Sequence, residues 1–209
     1  MQARTAIVLL FATLAPVSCK KDKGFGATFE GEISMHMVRA GAPEEDMVVK
    51  AKGDKMRIET NDAWLLYDPG TNKITMVSPK QKSYMDLDFA KAGAPQANTS
   101  ADTSTIDKSG KHETIAGIDC ENWTAHDPSG KKSEVCIAQG IAFFDMGSMK
   151  GGTSAIGKEM RDKKLFPLRS VEYDAGGKEL SRMQVTKVDK KSLDDSEFVI
   201  PKDFTKAAM

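Results

Sequence analysis

The sequence lacks an excess of either charge: thirty Lys and Arg balance thirty Asp and Glu in 209 residues, and the formal net charge is zero. The basic surplus of a nucleic-acid binder is therefore absent, and charge gives no reason to expect a polyanionic partner. No internal run reaches the roughly 18 apolar residues that a membrane-spanning helix needs, so any membrane contact must come from the N-terminus. His-Glu-x-x-His, Gly-x-Ser-x-Gly and Gly-x-Gly-x-x-Gly are all missing, which removes the local signatures of metalloproteases, esterases and dinucleotide enzymes. Gly147 to Ser154 has the glycine spacing of a phosphate loop, but Thr153 stands where that loop needs lysine. It reads as a flexible loop, and the sequence implies no cofactor.

What is present begins at the N-terminus. Arg4 is the only charge before Lys20, and Thr5 to Val17 is mostly apolar, too short to span a bilayer but suited to the core of an export signal over residues 1–18. Ala15-Pro16-Val17-Ser18-Cys19 follows, and this resembles a bacterial lipoprotein box, with Pro16 in place of the usual aliphatic residue. The resemblance implies that Cys19 is acylated and that residues 19–28 are a tether. Each buried CH₂ of an acyl chain contributes about 0.8 kcal/mol, so such chains hold a protein at a membrane without a helix. By lipoprotein sorting rules, Lys20 favours an outer-membrane lipoprotein facing the periplasm. The alternative is a secreted or periplasmic soluble protein in which Cys19 is incidental.

With Cys19 set aside, Cys120 and Cys136 remain, an even number for an oxidising compartment. They flank the turn Asp127-Pro128-Ser129-Gly130. A hairpin pivoting on Pro128 and Ser129 places them nearly opposite each other, where cross-strand separations of about 4.5 to 5.5 Å suit a disulfide. They lack the Cys-x-x-Cys spacing of metal and redox pairs.

From Phe29 the pattern has period two: Phe29, Ile33, Met35 and Met37 alternate with Glu30, Glu32, Ser34 and His36, as in a half-buried strand. Met47, Val49 and Ala51 repeat it, followed by Met56 and Ile58, Trp64 to Tyr67, Ile74 and Met76, then Met85, Leu87 and Phe89. Turn residues separate these runs, and short connections make an antiparallel meander of about six strands the economical arrangement. Residues 91–109 are rich in Ala, Ser, Thr, Gly and Asp and read as a flexible loop. A short strand around Ile115, the cysteine hairpin, a short helix over Ser154 to Lys164 and a hairpin from Leu168 to Val188 complete one β-rich domain, 29–204. Residues 205–209 read as a tail.

The succession Lys55-Met56-Arg57-Ile58-Glu59, Leu66-Tyr67-Asp68, Ile115-Ala116-Gly117-Ile118-Asp119-Cys120-Glu121-Asn122-Trp123 and Phe198-Val199-Ile200-Pro201-Lys202-Asp203-Phe204 resembles exported bacterial proteins known only as a domain of unknown function. Those are similar in pattern to the LolA/LolB lipoprotein carriers. The resemblance implies a mainly β fold, a curved antiparallel sheet forming a half-open barrel with one or two short helices and an apolar cavity. It transfers no cargo-holding residue, because no exposed Arg maps to that of the carriers.

Candidate chemistry is sparse. Met35-His36-Met37 suggests copper, but alternation puts the methionines on one side of a strand and the imidazole on the other, so no metal site is expected. His126 sits in a turn, and Asp86 and Asp88 flank Leu87 on a solvated strand face. Methionine is the informative feature: Met35, Met37, Met47, Met56, Met76 and Met85 occupy apolar positions of the first meander. With Ile58 and Trp64 they form the candidate lining of an adaptable apolar surface, although methionine also fills irregular cores. The reading that results is a non-enzymatic envelope protein binding a hydrophobic small molecule or lipid acyl chain. The alternative is a structural or interaction module with a packed interior and an envelope protein partner.

Overall fold

The computed structural model of the protein describes residues 29–53, 55–68, 73–87, 104–139 and 155–207. Six strands form the expected first meander: β1 (Glu30–Arg39), β2 (Glu45–Lys52), β3 (Lys55–Glu59), β4 (Trp64–Asp68), β5 (Lys73–Ser78) and β6 (Ser83–Leu87). A second group follows: β7 (Thr105–Ile115), β8 (Ile118–His126), β9 (Lys132–Gln139), helix α1 (Ala155–Lys163), β10 (Leu165–Tyr173) and β11 (Glu179–Lys190). The chain ends with a 3₁₀ turn, Asp195–Phe198, and the short β12, Thr205–Lys206. All twelve strands make one sheet in the order β12-β6-β5-β4-β3-β2-β1-β11-β10-β9-β8-β7. The sheet is curved and not closed.

The join between the two groups is the pair β1 and β11, so β1 has neighbours on both sides. Ile33 at its centre is fully buried. Register irregularities fall at Ser34/Met35 against β11, at Pro167/Arg169 in β10 and at Lys108/His112 in β7. Such bulges bend a strand and increase its local twist, which is how a long sheet is made to curve. Two turns repeat one device: Asp127 Oδ1 accepts from the N–H groups of Ser129 (2.8 Å) and Lys131 (2.9 Å), and Asp174 Oδ1 from those of Gly176 and Lys178 (both 2.9 Å). The Asp side chain there completes the turn that its backbone begins.

Among the described glycines, Gly31 is the most tightly enclosed. Its φ is +149°, and a Cβ built there would lie 2.2 Å from the Asp189 carbonyl oxygen on β11. Because backbone cannot yield as a side-chain tip does, Gly31→Ala is expected to lower the unfolding free energy by about 2 kcal/mol or more in urea titration.

The structure corrects three expectations. Residues 105–109 belong to β7 rather than to a loop over 91–109. Their polar composition fits an edge strand, in which most side chains meet water. Residues 205–207 are not a tail: β12 pairs in parallel with β6, and the Ala207 N–H donates to the Tyr84 carbonyl at 2.8 Å. The hairpin of β8 and β9 is set by its Asp127 turn so that Asn122, not Cys120, faces Cys136. The Cys120–Cys136 disulfide therefore forms diagonally, with the Cα atoms 5.4 Å apart. Helix α1 falls within the expected Ser154 to Lys164: it stops at Lys163, Lys164 takes φ +52°, and Leu165 begins β10. Ile156 and Met160 of α1 still pack with Leu165, together with Trp123, Ala125, Val135 and Ile137.

Candidate functional site

Residues directly opposite in an antiparallel ladder place their side chains on the same face of the sheet. Across the first meander the register is unbroken, and one row runs Ile33, Val49, Ile58, Leu65, Met76, Met85. A second holds Ala51, Met56, Tyr67, Ile74 and Leu87, and Met35 pairs with Met47 on the same side. Met37, two residues along from Met35, shares that side. Seven of the eight expected lining residues thus share one face: Met35, Met37, Met47, Met56, Ile58, Met76 and Met85.

Trp64 is not among them. It pairs with Glu59 and Val77, on the opposite side from Ile58 and Met76. The run Trp64-Leu65-Leu66-Tyr67 is apolar without alternation, so nothing in it tells which residues face which side. A shift of one residue exchanges the two sets.

The methionine face has two zones. Met35 (7%), Met56 (2%) and Ile58 (5%) are nearly inaccessible and belong to one apolar cluster with Ile33, Val49, Phe166, Leu168, Val185 and the disulfide. Met37, Met47, Met76 and Met85 are half-buried. The inner methionines are therefore core, and the outer four are only partly covered, Met47 still packing against the cluster. Leu65, Tyr67 and Met183 also border this cluster, where sequence alternation does not place them. The unpatterned run hides the first two, and Met183 reaches the face only through the pairing of β11 with Met37 on β1.

The other face carries Lys50, Lys52, Arg57 and Trp64, and the C-terminal segment lies across it. Lys50 reaches Glu197 at 2.6 Å, Lys52 donates to the Leu193 carbonyl at 2.7 Å, Lys55 meets Asp195 at 3.1 Å, and Arg57 donates to the Glu197 carbonyl at 2.9 Å. Glu30 accepts from the Leu193 N–H at 2.7 Å. The Arg57 guanidinium stacks 3.7 Å from the Trp64 ring centre, a favourable cation–π contact. This side is occupied by protein, which leaves the methionine side as the candidate ligand face.

The strap has a direction with pH. Lys50 holds the Glu197 carboxyl below its ordinary range, Lys55 and Lys52 do the same for Asp195, and the Leu193 N–H does so for Glu30. Groups with lowered pKa contribute stability above their unfolded values and lose it as pH falls through the folded ones. Backbone amides of residues 193–207 are therefore expected to be protected from hydrogen exchange at neutral pH, and that protection to fall as pH drops below about 4. A separate ion pair anchors α1: Lys108, which also lies 4.4 Å over the Trp123 ring, and Lys163 together bring Glu159 down to about 2.

No catalytic constellation emerges among the described residues. His36 faces away from Met35 and Met37 and is bonded to Asp46 at 2.8 Å, and His112 is bonded to Asp119 at 2.8 Å. Glu113, Cys120 and Cys136 cluster closely enough to suggest metal ligands. However, the two sulfurs are bonded to each other, and Glu113 is held by both terminal nitrogens of Arg169, so no thiolate is available. Cys19, residues 91–103 and residues 140–154 lie outside the described residues.

Fold and site together define a single open, mainly antiparallel sheet, with the C-terminal segment strapped across one face and the methionines on the other. The chain belongs to the family described as a domain of unknown function, DUF4412, whose model matches residues 29–204. Among curated proteins, none matches the sequence. Among solved structures, an uncharacterized conserved protein from Thermus thermophilus is similar, with TM-score 0.54 and 12% identity over 87% of this chain and 90% of that one. Weaker likenesses include the MucA/MucB complex of Pseudomonas aeruginosa, with TM-score 0.47 and 12% identity over 85% of this chain and 58% of that one. A LolA superfamily protein from Nitrosomonas europaea has TM-score 0.30 and 10% identity over 82% of this chain and 90% of that one. The Thermus likeness extends over almost the whole of both chains and supports the fold.

Proposed function

We propose that this protein is a non-enzymatic lipoprotein of the bacterial envelope, anchored through acylated Cys19, whose methionine face holds a hydrophobic ligand such as a lipid acyl chain. The observation that carries the reading is the zone of half-buried thioethers, Met37, Met47, Met76 and Met85, bordering a fully packed apolar core. Thioethers adapt to varied alkyl shapes without the fixed geometry that branched side chains impose. Packing of the opposite face by the C-terminal strap supports assigning ligand contact to this side. Lys20 and the export signal support an outer-membrane position facing the periplasm.

Native and denaturing mass spectra of the exported protein test the reading. A bound apolar molecule released only on denaturation is expected, together with uptake of an added fatty acid. Met76→Asp and Met85→Asp should each weaken that uptake about tenfold, since burying a charge against alkyl chain is unfavourable, while the fold is retained. Met35 and Met56 are unsuited to this test because their replacement disrupts the core. An empty protein that also refuses fatty acid would sink the proposal. Cys19→Ala should move the protein from the membrane fraction to the soluble one.

A second reading is favoured by the burial of Met35, Met56 and Ile58. If the core extends across the whole face, the domain is an interaction module, and an envelope protein rather than a lipid is its partner. That reading expects no uptake and a crosslinked protein partner instead.

A further inference from the structure

At the β1–β2 end of the methionine face a pocket of about 270 Å³ opens, lined by Met37, Arg39, Glu44, Glu45, Thr60 and Asp62 among others. Two of its charges have partners. Glu44 lies 3.3 Å from His36 Nε2, and Asp62 is paired with Lys80. The other two, Arg39 and Glu45, have no side-chain hydrogen bond or ion pair among the described residues. Arg39 follows Met35 and Met37 at alternate positions of β1, and Glu45 precedes Met47 by two on β2 and pairs with Met37. Both therefore lie on the methionine side of the sheet, Glu45 opposite Met37 and Arg39 just beyond it.

One unpartnered cation and one unpartnered carboxylate thus stand together where an apolar face meets solvent. Diagonal neighbours of this kind on paired strands are separated by about 7–8 Å, which leaves space for a group between them. Arg recognises phosphate through charge-assisted, often bidentate hydrogen bonds, and a carboxylate accepts from an ammonium. We infer that this pocket binds the zwitterionic head of a phospholipid, phosphate on Arg39 and ammonium on Glu45, with Met37 against the first methylenes of the chain. The inference rests on the acyl-holding reading and extends it from the chain to the head.

The test compares two soluble lipids with identical short acyl chains, dihexanoyl phosphatidylethanolamine and dihexanoyl phosphatidylglycerol, titrated into the full chain by calorimetry. Only the first carries an ammonium. Binding of the ethanolamine lipid is expected to be about tenfold tighter, the equivalent of one charge-assisted contact. Glu45→Gln should erase that preference and leave the glycerol lipid's affinity unchanged, whereas Arg39→Gln should weaken both lipids. Both positions border solvent, and circular dichroism checks that each variant is folded. Equal affinities in the wild type, or a preference that survives Glu45→Gln, would overturn the head-group inference and leave the acyl-chain reading intact. Binding of neither lipid would overturn both.

Discussion

Protein carrying Cys120→Ala and Cys136→Ala is expected to unfold with about 3 kcal/mol less free energy than the wild type, the chain-entropy value for a loop of this size. The bridge spans a sequence separation of 16 and ties β8 to β9 near the far end of the sheet from the first meander. The entropy of the open loop is only part of the effect. Cys120 and Cys136 are 1% and 0% exposed and sit in the same apolar cluster as Ile33 and Met56. Serine at both positions adds buried hydroxyls to that cluster, so the double serine protein should be less stable than the double alanine protein by about 1–2 kcal/mol. Urea titrations of the three proteins separate the two contributions. Equal midpoints for wild type and double alanine would show that the bridge contributes no stability, and equal midpoints for the two variants would show that the sulfurs are not in the core.

That disulfide also shows what can be read from sequence. Two cysteines flanking an Asp-Pro-Ser-Gly turn identify the hairpin and the bond, because both depend on local composition. The register is not legible in the same way. A pivot on Pro128 and Ser129 would set Glu121 against Cys136, but the Asp127 side chain closes a longer turn that sets Asn122 there and so brings both cysteines to one face. The same division holds for the candidate site. Alternation puts Met35, Met37, Met47 and Val49 on one side, as the pairing of β1 with β2 has them, because His36 separates the two methionines of β1 and Lys50 separates Val49 from Ala51 in β2. It fails in β4, where Leu65 and Tyr67 rather than Trp64 join the methionines. The two-residue β12 is illegible for another reason. Its pairing with β6 joins Thr205 to Ser83, far apart in sequence, and no local pattern specifies such a contact.

Charge arithmetic is similarly uninformative about position. A neutral total gives no sign of a polyanionic partner, and it does not reveal that the balance is spatially sorted. Lys50, Lys52, Lys55 and Arg57 are engaged by the strap and its neighbours, whereas Arg39 and Glu45, at the end of the opposite face, have no partner among the described residues. The sorting follows from strand parity. Lys50, Lys52 and Arg57 sit at positions alternating with Val49, Ala51, Met56 and Ile58, so these three strap-fixing residues are turned away from the methionines. Arg39 and Glu45 have the parity of Met37 and share its side.

Leu168→Ala is expected to be as damaging as loss of the disulfide, costing about 2–5 kcal/mol. Leu168 is 0% exposed and falls at the bulge between Pro167 and Arg169, on a strand paired on both sides. Because β9 and β11 hold that backbone in place, the structure cannot collapse far into the space left by the side chain, and the cavity persists. Met76→Ala, opposite Leu65 on the open margin of the methionine face, removes a half-buried side chain and should cost about 1 kcal/mol. It should alter uptake of a fatty acid more than Leu168→Ala does. The contrast matters more than either value. A face that is core throughout makes both substitutions costly in proportion to the side chain removed, and neither changes ligand uptake. A face that is core at Leu168 and open at Met76 separates stability from binding, and only that outcome is compatible with a ligand resting on the outer methionines.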